Sequence, residues 1–308
     1  MVEQRRFFLK TAGMAGAAMA LPGLSQGAFS LKGPDIACQH YTWFSYLRRD
    51  GVEWQEDMGK SFDLFLKSGL KSYEPSFQSP GQPDELQKIL KKNKIGARSF
   101  YVNSTLHLES DIEKSITNAL AIAKNAKKYG HEIVVTNPSP IKWGNPEDKD
   151  DGQLKTQAKA LDRLGSELRA IGMKLAYHNH DMEMRQSARE FHHMMMNTSP
   201  ENVHLCLDAH WIYRGAGNSQ VALFDIVKMY ADRVVEVHIR QSSNGPWSEV
   251  FGDGDIDYER LAEELLRRDL RPHLVLEQAV EEGTPHTMAA VEAIGKSLVN
   301  AQKVFEGF

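Results

Sequence analysis

Short apolar runs alternate along the chain with longer stretches in which apolar residues recur every three or four positions. The short runs are rich in branched and aromatic residues, and they predict eight β-strands, at 36–41, 70–74, 95–102, 132–136, 173–177, 203–208, 234–238 and 273–277. The longer stretches have helical periodicity, which is clearest at 53–68, 112–129, 154–171, 221–230, 258–266 and 288–304. Because strands and helices alternate without a linker between them, the pattern favours a parallel sheet covered by helices.

Two folds fit this alternation, the closed (β/α)8 barrel and the open doubly wound sheet. The doubly wound sheet requires a glycine-rich turn directly after its first strand. At that point the chain has the sequence HYTWFSY, at 40–46, which contains no glycine. We therefore predict an α/β protein with a single (β/α)8 TIM-barrel domain at 31–308, in which eight strands alternate with eight helices.

Four consecutive strands in the second half of the chain each end on a side chain that can bind a metal. The intervals between these residues are 30, 30 and 39 positions, and the residues are His178, Asp208, His238 and Glu277. One strand–loop–helix–loop unit has about this length, and the carboxyl ends of barrel strands meet at one face. Two imidazoles and two carboxylates can hold a divalent ion and leave room for a substrate. Considered alone, His178 also fits a buried histidine bonded to a backbone carbonyl, but the set of four predicts a metal site.

Five motifs in this chain resemble the xylose isomerase-like TIM-barrel family of sugar phosphate isomerases and epimerases. They are YHNHDME at 177–183, LDAHWIYRGAG at 207–217, VEVHIR at 235–240, GDGDID at 252–257 and LVLE at 274–277. The resemblance extends from about residue 35 to the C-terminus. It implies one divalent ion, manganese by preference, with cobalt, zinc or magnesium as alternatives. It also implies that the ligands are the four residues already selected by spacing, His178, Asp208, His238 and Glu277.

One ligand position departs from the family pattern. Epimerases of this family usually have a glutamate where this chain has His178, and they use two metal-bound glutamates as acid and base on opposite faces of the substrate. Only Glu277 of that pair occurs here, so we expect Glu277 to be the catalytic base. One base beside a metal still supports enolisation, isomerisation or β-elimination next to a carbonyl.

Two further residues are candidate acid or base groups. His180 lies two positions after His178, so in an extended chain both side chains point to the same side. Lys142 follows the fourth strand in the loop PSPIKW, at 138–143. For His180, the alternatives that stay open are a substrate ligand and a residue that orients the neighbouring metal ligand. For Lys142, they are an oxyanion-binding lysine and a solvated lysine.

Four other residues near predicted strand ends are candidate substrate contacts: Glu74, Trp211, Arg240 and His107. Arg240 is two positions after His238 and suits a carboxylate, a phosphate or a keto oxygen. Trp211 stands where sugar epimerases of the family often have a substrate-binding histidine, and an indole suits stacking on a sugar. A salt bridge to a neighbouring loop is the alternative for Glu74, and the role of His107 is left open.

Several other polar residues have structural interpretations. The sequence FHHMMM, at 191–196, falls within a helix, where adjacent side chains do not share a face. His131, His204 and His273 open strands and so belong to the opposite end of the barrel from the site. The segment 252–255 resembles a calcium loop only superficially, and we assign it to the loop after strand seven, with Asp257 as the cap of the next helix.

The N-terminus resembles a twin-arginine export signal. The sequence RRFFLK, at 5–10, precedes a mildly apolar run at 11–24 that is too short for a membrane span. We predict that residues 1–30 are a signal peptide, that the twin-arginine machinery is a partner, and that the mature protein is periplasmic or otherwise exported, without a membrane span. Because exported enzymes seldom meet sugar phosphates, an unphosphorylated sugar is the expected substrate.

Charge and cysteine content narrow the possible functions. The chain has 37 basic and 41 acidic side chains and a net charge of −4, which argues against a nucleic-acid-binding protein. The expected partner is a small carbohydrate, and the sequence leaves open whether the protein forms a homo-oligomer. The two cysteines, Cys38 and Cys206, fall in predicted strands one and six. These strands are not neighbours in an eight-stranded barrel, so we expect two buried free thiols.

Three functions remain consistent with these patterns. The first is a metal-dependent isomerase or epimerase that enolises an unphosphorylated sugar or keto-sugar, which is the function that we expect. The second is a lyase or hydratase of keto-sugars or 3-keto-glycosides that uses the same enolate chemistry. The third is a carbohydrate-binding protein in which the metal is structural.

Overall fold

A computed structural model describes residues 33–52, 54, 58–144 and 147–308. In these ranges eight parallel strands form a nearly closed barrel with helices between them, as predicted. The strands are β1 Ile36–Gln39, β2 Ser72–Glu74, β3 Ser99–Tyr101, β4 Ile133–Thr136, β5 Lys174–His178, β6 Val203–Asp208, β7 Val234–Ile239 and β8 His273–Leu276. Their order in the sheet is β2-β1-β8-β7-β6-β5-β4-β3. The predicted export signal at 1–30 lies outside the described residues.

The barrel closes between β2 and β3 through single backbone hydrogen bonds rather than a regular ladder. Tyr73 N donates to Gly96 O and Tyr101 N donates to Pro75 O, both at 2.8 Å. The predicted third strand began at Ile95, whereas the regular strand begins only at Ser99. Ile95 and Gly96 instead belong to the irregular closing segment, which apolar patterning cannot distinguish from a strand.

The helices cover the outside of the barrel. In the described residues they are α1 His40–Arg49, α2 Met58–Lys67, α3 Gln82–Asn93, α4 Glu109–Ala126, α5 Asp151–Ala170, α6 Arg185–Met196, α7 Ala209–Gly215, α8 Gln220–Tyr230, α9 Tyr258–Leu266 and α10 Ala290–Val304. The α9 bounds agree with the prediction, and other predicted bounds shift by a few residues. Hydrogen bonding at helix ends, rather than apolar periodicity, sets these bounds.

Two of these helices correct the predicted count of eight. The additional helices, α1 and α7, follow β1 and β6 directly, at the carboxyl end of the barrel. The α7 helix is short, and it starts because Asp208 Oδ1 accepts a hydrogen bond from Trp211 N at 2.8 Å. Short aromatic-rich segments of this kind lack the repeated apolar spacing from which a helix is predicted.

Alternate residues of each strand point into the barrel. A small interior cluster is formed by Ile133, Val135, Ala176 and Cys206. Cys38 and Cys206 are buried free thiols, as predicted. In the part of the chain that the structure describes, no helix has the length and apolarity required to cross a membrane.

Two of the segments assigned structural roles from the sequence have such roles in the structure. His192 and His193 lie within α6, and His192 Nδ1 lies 2.8 Å from Tyr230 Oη. Asp257 caps α9, because its Oδ1 accepts a hydrogen bond from Arg260 N at 2.9 Å.

Candidate metal centre

The four predicted ligands converge at the carboxyl end of the barrel. The register of the strands places Asp208 beside His238 and His178 beside Cys206. One donor atom from each of the four residues His178, Asp208, His238 and Glu277 lies within 4.8 Å of the others. His178 Nε2 is 3.7 Å from Asp208 Oδ2 and 3.8 Å from Glu277 Oε2, while His238 Nδ1 is 3.2 Å from Glu277 Oε2. Spacing along the chain was therefore sufficient to find this cluster.

The cluster contains buried polar atoms that a cation would satisfy. Among the described residues, neither ring nitrogen of His178 has a hydrogen-bond partner, and neither does Asp208 Oδ2. A buried polar atom without a partner costs about 1–3 kcal/mol. Because two imidazoles and two carboxylates are suitable ligands for a divalent ion, one bound metal would remove this cost at several atoms together. The donor set therefore fits the metal that the sequence predicts.

Burial and nearby charges set the protonation of the ligands. Burial lowers the pKa of His178, and the adjacent His238 lowers it further, which favours the neutral ring needed for ligation. Burial alone would raise the pKa of Glu277, but the Arg240 guanidinium and His238 hold it well below its usual value. Burial raises the pKa of Asp208 to about 7. A cation in the cluster would keep this carboxylate ionised.

Two carboxylates lie beneath the cluster, on the other side of His238. His238 Nε2 is 3.1 Å from Glu236 Oε1 and 3.3 Å from Glu74 Oε1, and all three side chains are fully buried. The Ser99 hydroxyl donates to Glu74 Oε2 at 2.5 Å. If Nδ1 of His238 faces the metal, its Nε2–H can donate to these carboxylates, which orients the ring and increases its basicity. Burial, and then Glu74, raise the pKa of Glu236 to about 8, so this pair can hold one proton between them.

These positions change the interpretation of Glu74 and add Glu236 to the candidate site. Glu74 was a candidate substrate contact, but its Oε1 lies against His238 and its Oε2 accepts a hydrogen bond from Ser99, so its position suits support of the His238 ring instead. Glu236 was not among the predicted site residues. The signal was nevertheless present, because Glu236 precedes His238 by two positions on one strand and so points to the same side.

Arg240 lies at the edge of the cluster between two indoles. Its Nη2 is 2.6 Å from Glu277 Oε2, and its Nε donates to Glu277 O at 3.0 Å. The guanidinium carbon is 5.0 Å from the ring centroid of Trp211 and 4.3 Å from that of Trp247. Arg240 Nη1 is buried and has no hydrogen-bond partner in the described ranges. This geometry leaves one donor available to a substrate oxygen, whereas Trp247 was absent from the predicted site.

His180 lies beside His178, as its position in the sequence indicated. The two ring centroids are 4.8 Å apart, and the His180 ring is also 5.5 Å from Trp211 and 5.1 Å from Trp143. His180 thus stands between the ligand cluster and two aromatic side chains.

Polar contacts position the backbone that carries His178 and His180. His180 N donates to Glu183 Oε2 at 2.6 Å. The Asn137 amide donates to His178 O at 3.0 Å and to Glu183 Oε1 at 3.1 Å. Asn137 and Glu183 therefore link the end of β4 to the motif that supplies the first ligand.

The remaining two candidates, Lys142 and His107, do not belong to the ligand cluster. Lys142 is exposed, and its neighbour Trp143, rather than the lysine, contacts the His180 ring. His107 is buried, and its pKa is lowered by burial and by the nearby charge of Lys149. The geometry supports neither of them as an acid, a base or a substrate contact at the cluster, so those roles stay predictions.

Residues 56–297 match the family model described as xylose isomerase-like TIM barrel. The chain belongs to this family. An inosose dehydratase of Clostridium perfringens (strain 13 / Type A) is 26% identical over 238 residues, which cover 68% of this chain and 78% of that protein. The family therefore includes enzymes, and this relative is a lyase.

Solved structures share the fold of this chain at low identity. One is the 3-keto-D-glucoside 4-epimerase from E. coli, with a TM-score of 0.62 and 15% identity, covering 86% of this chain and 97% of that chain. Another is a xylose isomerase-like TIM barrel protein from Mycobacterium smegmatis in complex with magnesium. It has a TM-score of 0.65 and 14% identity, and covers 90% of this chain and 97% of that chain.

Proposed function

We propose that the protein is a divalent-metal-dependent lyase that removes the proton next to a carbonyl of a keto-sugar or keto-cyclitol and expels a β-substituent. The observation that carries this proposal is the buried cluster of two imidazoles and two carboxylates, with donor atoms within 4.8 Å of one another. The inosose dehydratase of C. perfringens supports elimination as the outcome.

The chain offers four ligands to the metal, His178, Asp208, His238 and Glu277. When bound, a divalent ion would polarise the substrate carbonyl and so acidify the neighbouring C–H bond. Manganese is the expected ion. Magnesium is a second candidate, which the magnesium complex of the mycobacterial protein of the same fold supports.

Glu277 is the base in this proposal. Arg240 and His238 keep its carboxylate ionised despite burial, and the ionised form is the one that accepts a proton. The unpartnered Nη1 of Arg240 lies beside this carboxylate and can donate to the carbonyl oxygen as negative charge develops on it. Proton removal and charge stabilisation thus come from neighbouring atoms of the residues that directly follow β7 and β8.

His180 is the polar group nearest to the expected position of the leaving oxygen. Elimination of a hydroxyl or alkoxyl group requires a proton for the leaving oxygen. The His180 ring lies 4.8 Å from the His178 ring, on the side of Trp211 and Trp143. Burial and the adjacent His178 hold the pKa of His180 well below its usual value, so its ring is neutral. We assign His180 the role of hydrogen-bond donor to the leaving oxygen, which receives the proton that Glu277 has removed.

The charges at the rim favour an unphosphorylated substrate. Arg214 binds Glu281 with both arms of its guanidinium, at 2.9 and 2.6 Å. Arg240 is likewise paired with Glu277. These two guanidinium groups are neutralised by carboxylates, and a phosphate would have to displace one of them. An uncharged sugar or cyclitol needs no such displacement, which agrees with the export that the N-terminal sequence predicts.

Epimerisation is the second candidate, because His180 and Glu277 are two separate groups that can exchange protons. If both act on the same carbon, the product would be the epimer. The epimerase from E. coli supports this alternative only through its fold.

The test is metal analysis followed by NMR in D2O. The purified protein is loaded with Mn2+ and incubated with inosose, 3-keto-D-glucose and methyl 3-keto-β-D-glucopyranoside. Because NMR lines broaden with Mn2+, the metal is removed by chelation before spectra are recorded. Loss of water or methanol with an unsaturated product is expected, whereas deuterium at one inverted carbon would identify an epimerase. Absence of exchange and elimination with every substrate, using Mn2+, Mg2+, Co2+ and Zn2+ in turn, would refute the proposal.

A further inference from the structure

A row of aromatic side chains extends outward from the ligand cluster. His180 follows His178, and its ring contacts both Trp143 at 5.1 Å and Trp211 at 5.5 Å. Trp211 in turn lies 5.6 Å from Trp247. These residues come from segments after β4, β5, β6 and β7, so one side of the mouth is built from four adjacent loops.

Trp143 differs from the other two tryptophans of this row in its exposure. It is 53% exposed, whereas Trp247 is only 5% exposed and Trp211 is half-buried. Trp211 and Trp247 have a structural role, because their rings pack against the guanidinium of Arg240. The contact of Trp143 with this row is through His180, and much of its indole faces solvent.

The opposite side of the mouth also presents an aromatic ring. Tyr41 of α1 is 42% exposed. Burial raises the pKa of the Tyr41 hydroxyl, while the charge of Arg240 lowers this pKa and that of Glu277 raises it. An exposed indole, after β4, and an exposed phenol, after β1, therefore both belong to segments at the carboxyl end of the barrel.

We propose that Trp143 forms a second subsite that stacks on a ring attached to the reacting keto-sugar, so that glycosides are better substrates than free monosaccharides. This inference rests on the proposed function, because it assumes that the keto-sugar binds at the four ligands. Apolar faces of sugar rings and of aryl groups both pack on an indole. The attached ring is therefore a second sugar or an aryl aglycone, and both are tested.

The position of Trp143 explains why an attached ring would reach it. His180 is the inner contact and Trp143 the outer contact of the same row, so a substrate seated at the ligands meets His180 before Trp143. In the proposed elimination, the His180 ring donates a hydrogen bond to the leaving oxygen. The group carried by that oxygen would then lie toward Trp143.

The experiment compares the Mn2+-loaded wild-type protein with Trp143→Ala and Trp143→Phe. Substrates are the methyl and phenyl 3-keto-β-D-glucopyranosides and 3-keto-cellobiose. We expect Trp143→Ala to raise KM for the phenyl glycoside or the disaccharide about five- to tenfold, with KM for the methyl glycoside unchanged and kcat little affected. Trp143→Phe should restore most of the difference. The aryl and disaccharide arms show which kind of ring the subsite prefers.

Met229→Ala is the matched control, since Met229 is similarly exposed, at 55%, but lies on α8. It should leave all KM values unchanged. Equal effects of Trp143→Ala on the methyl and larger glycosides, or no effect on any of them, would overturn the subsite.

A binding measurement separates this inference from the proposed function. Isothermal titration calorimetry is carried out with phenyl and methyl β-D-glucopyranoside, neither of which needs to react. A preference of the wild-type protein for the phenyl compound that Trp143→Ala abolishes would support the subsite even if no substrate turns over. Lack of such a preference would reject the subsite even if elimination occurs.

Discussion

Polar side chains at the end of β4, in the first half of the barrel, and at the ends of β5 and β6, in the second half, differ in whether the protein satisfies them. In the first half, the Thr136 hydroxyl donates to Val102 O at 2.7 Å and lies 2.9 Å from Ser104 Oγ. In the second half, both ring nitrogens of His178 and Asp208 Oδ2 are buried without a hydrogen-bond partner among the described residues. The end of β4 at Thr136 therefore satisfies its polar group within the protein, whereas the ends of β5 and β6 leave polar atoms without partners that a bound metal would satisfy.

This difference shows how stability and function are divided within one repeated architecture. Polar atoms that are satisfied internally stabilise the fold but cannot bind anything else. Polar atoms left without partners lower the stability of the metal-free protein and make ligand binding favourable. Glu74 is at the boundary, because it belongs to the first half but contacts His238 of the second.

The largest effect is expected for Glu277→Gln. An amide cannot accept the substrate proton, so elimination should slow by about 10²–10⁴-fold, as is typical for loss of a catalytic base. The rate is measured by NMR in D2O at saturating metal. Glu282→Gln, at an exposed neighbouring position, should retain the wild-type rate. Near-normal turnover by Glu277→Gln would show that the base is elsewhere.

The substitution Asp208→Asn should reduce metal affinity, because it alters a direct ligand. The loss should exceed the roughly 10–100-fold that is typical when a residue bonded to a metal ligand is replaced. The metal-free protein should lose no stability, because the amide oxygen can still cap α7 at Trp211 N and a buried charge is removed. Titration calorimetry with Mn2+ and thermal melts with and without a chelator measure both quantities. A marked fall in the melting temperature of the metal-free variant would contradict this division of roles.

Glu236→Gln should lower metal affinity by about 10–100-fold, because the orientation of the His238 ring is less well fixed. Glu236 would thus affect metal binding through His238, without contacting the metal itself. Calorimetry with Mn2+ provides the affinity, and Glu263→Gln on the exposed face of α9 is the control. Unchanged affinity would indicate that Glu236 does not orient the ligand.

The smallest functional effect is expected in the first half of the barrel. Thr136→Val removes the hydrogen bonds to Val102 O and Ser104 Oγ and should lower the free energy of unfolding by about 1–3 kcal/mol. Metal affinity should not change. Urea unfolding and calorimetry test the two statements, and a loss of metal affinity comparable with that of Asp208→Asn would erase the difference between the halves.

Much of the site could be predicted from the sequence because it depends on two short-range regularities. Alternation of side chains along a strand, together with one ligand per strand–helix unit, was sufficient to select His178, Asp208, His238 and Glu277. The same alternation would have placed Glu236 inside the barrel beside His238. The pairing of Arg240 with Glu277, at 2.6 Å, required the side-by-side placement of β7 and β8.

The sequence by itself determined the barrel, the order of its elements and the four converging donors, because periodicity and spacing along a chain are local properties. Only the tertiary structure decided that Glu74 supports His238 from across the barrel. It also decided that Trp143, and not Lys142, faces His180. Contacts between distant strands depend on how the sheet closes, and side-chain directions in a loop depend on backbone dihedral angles that no repeating pattern encodes.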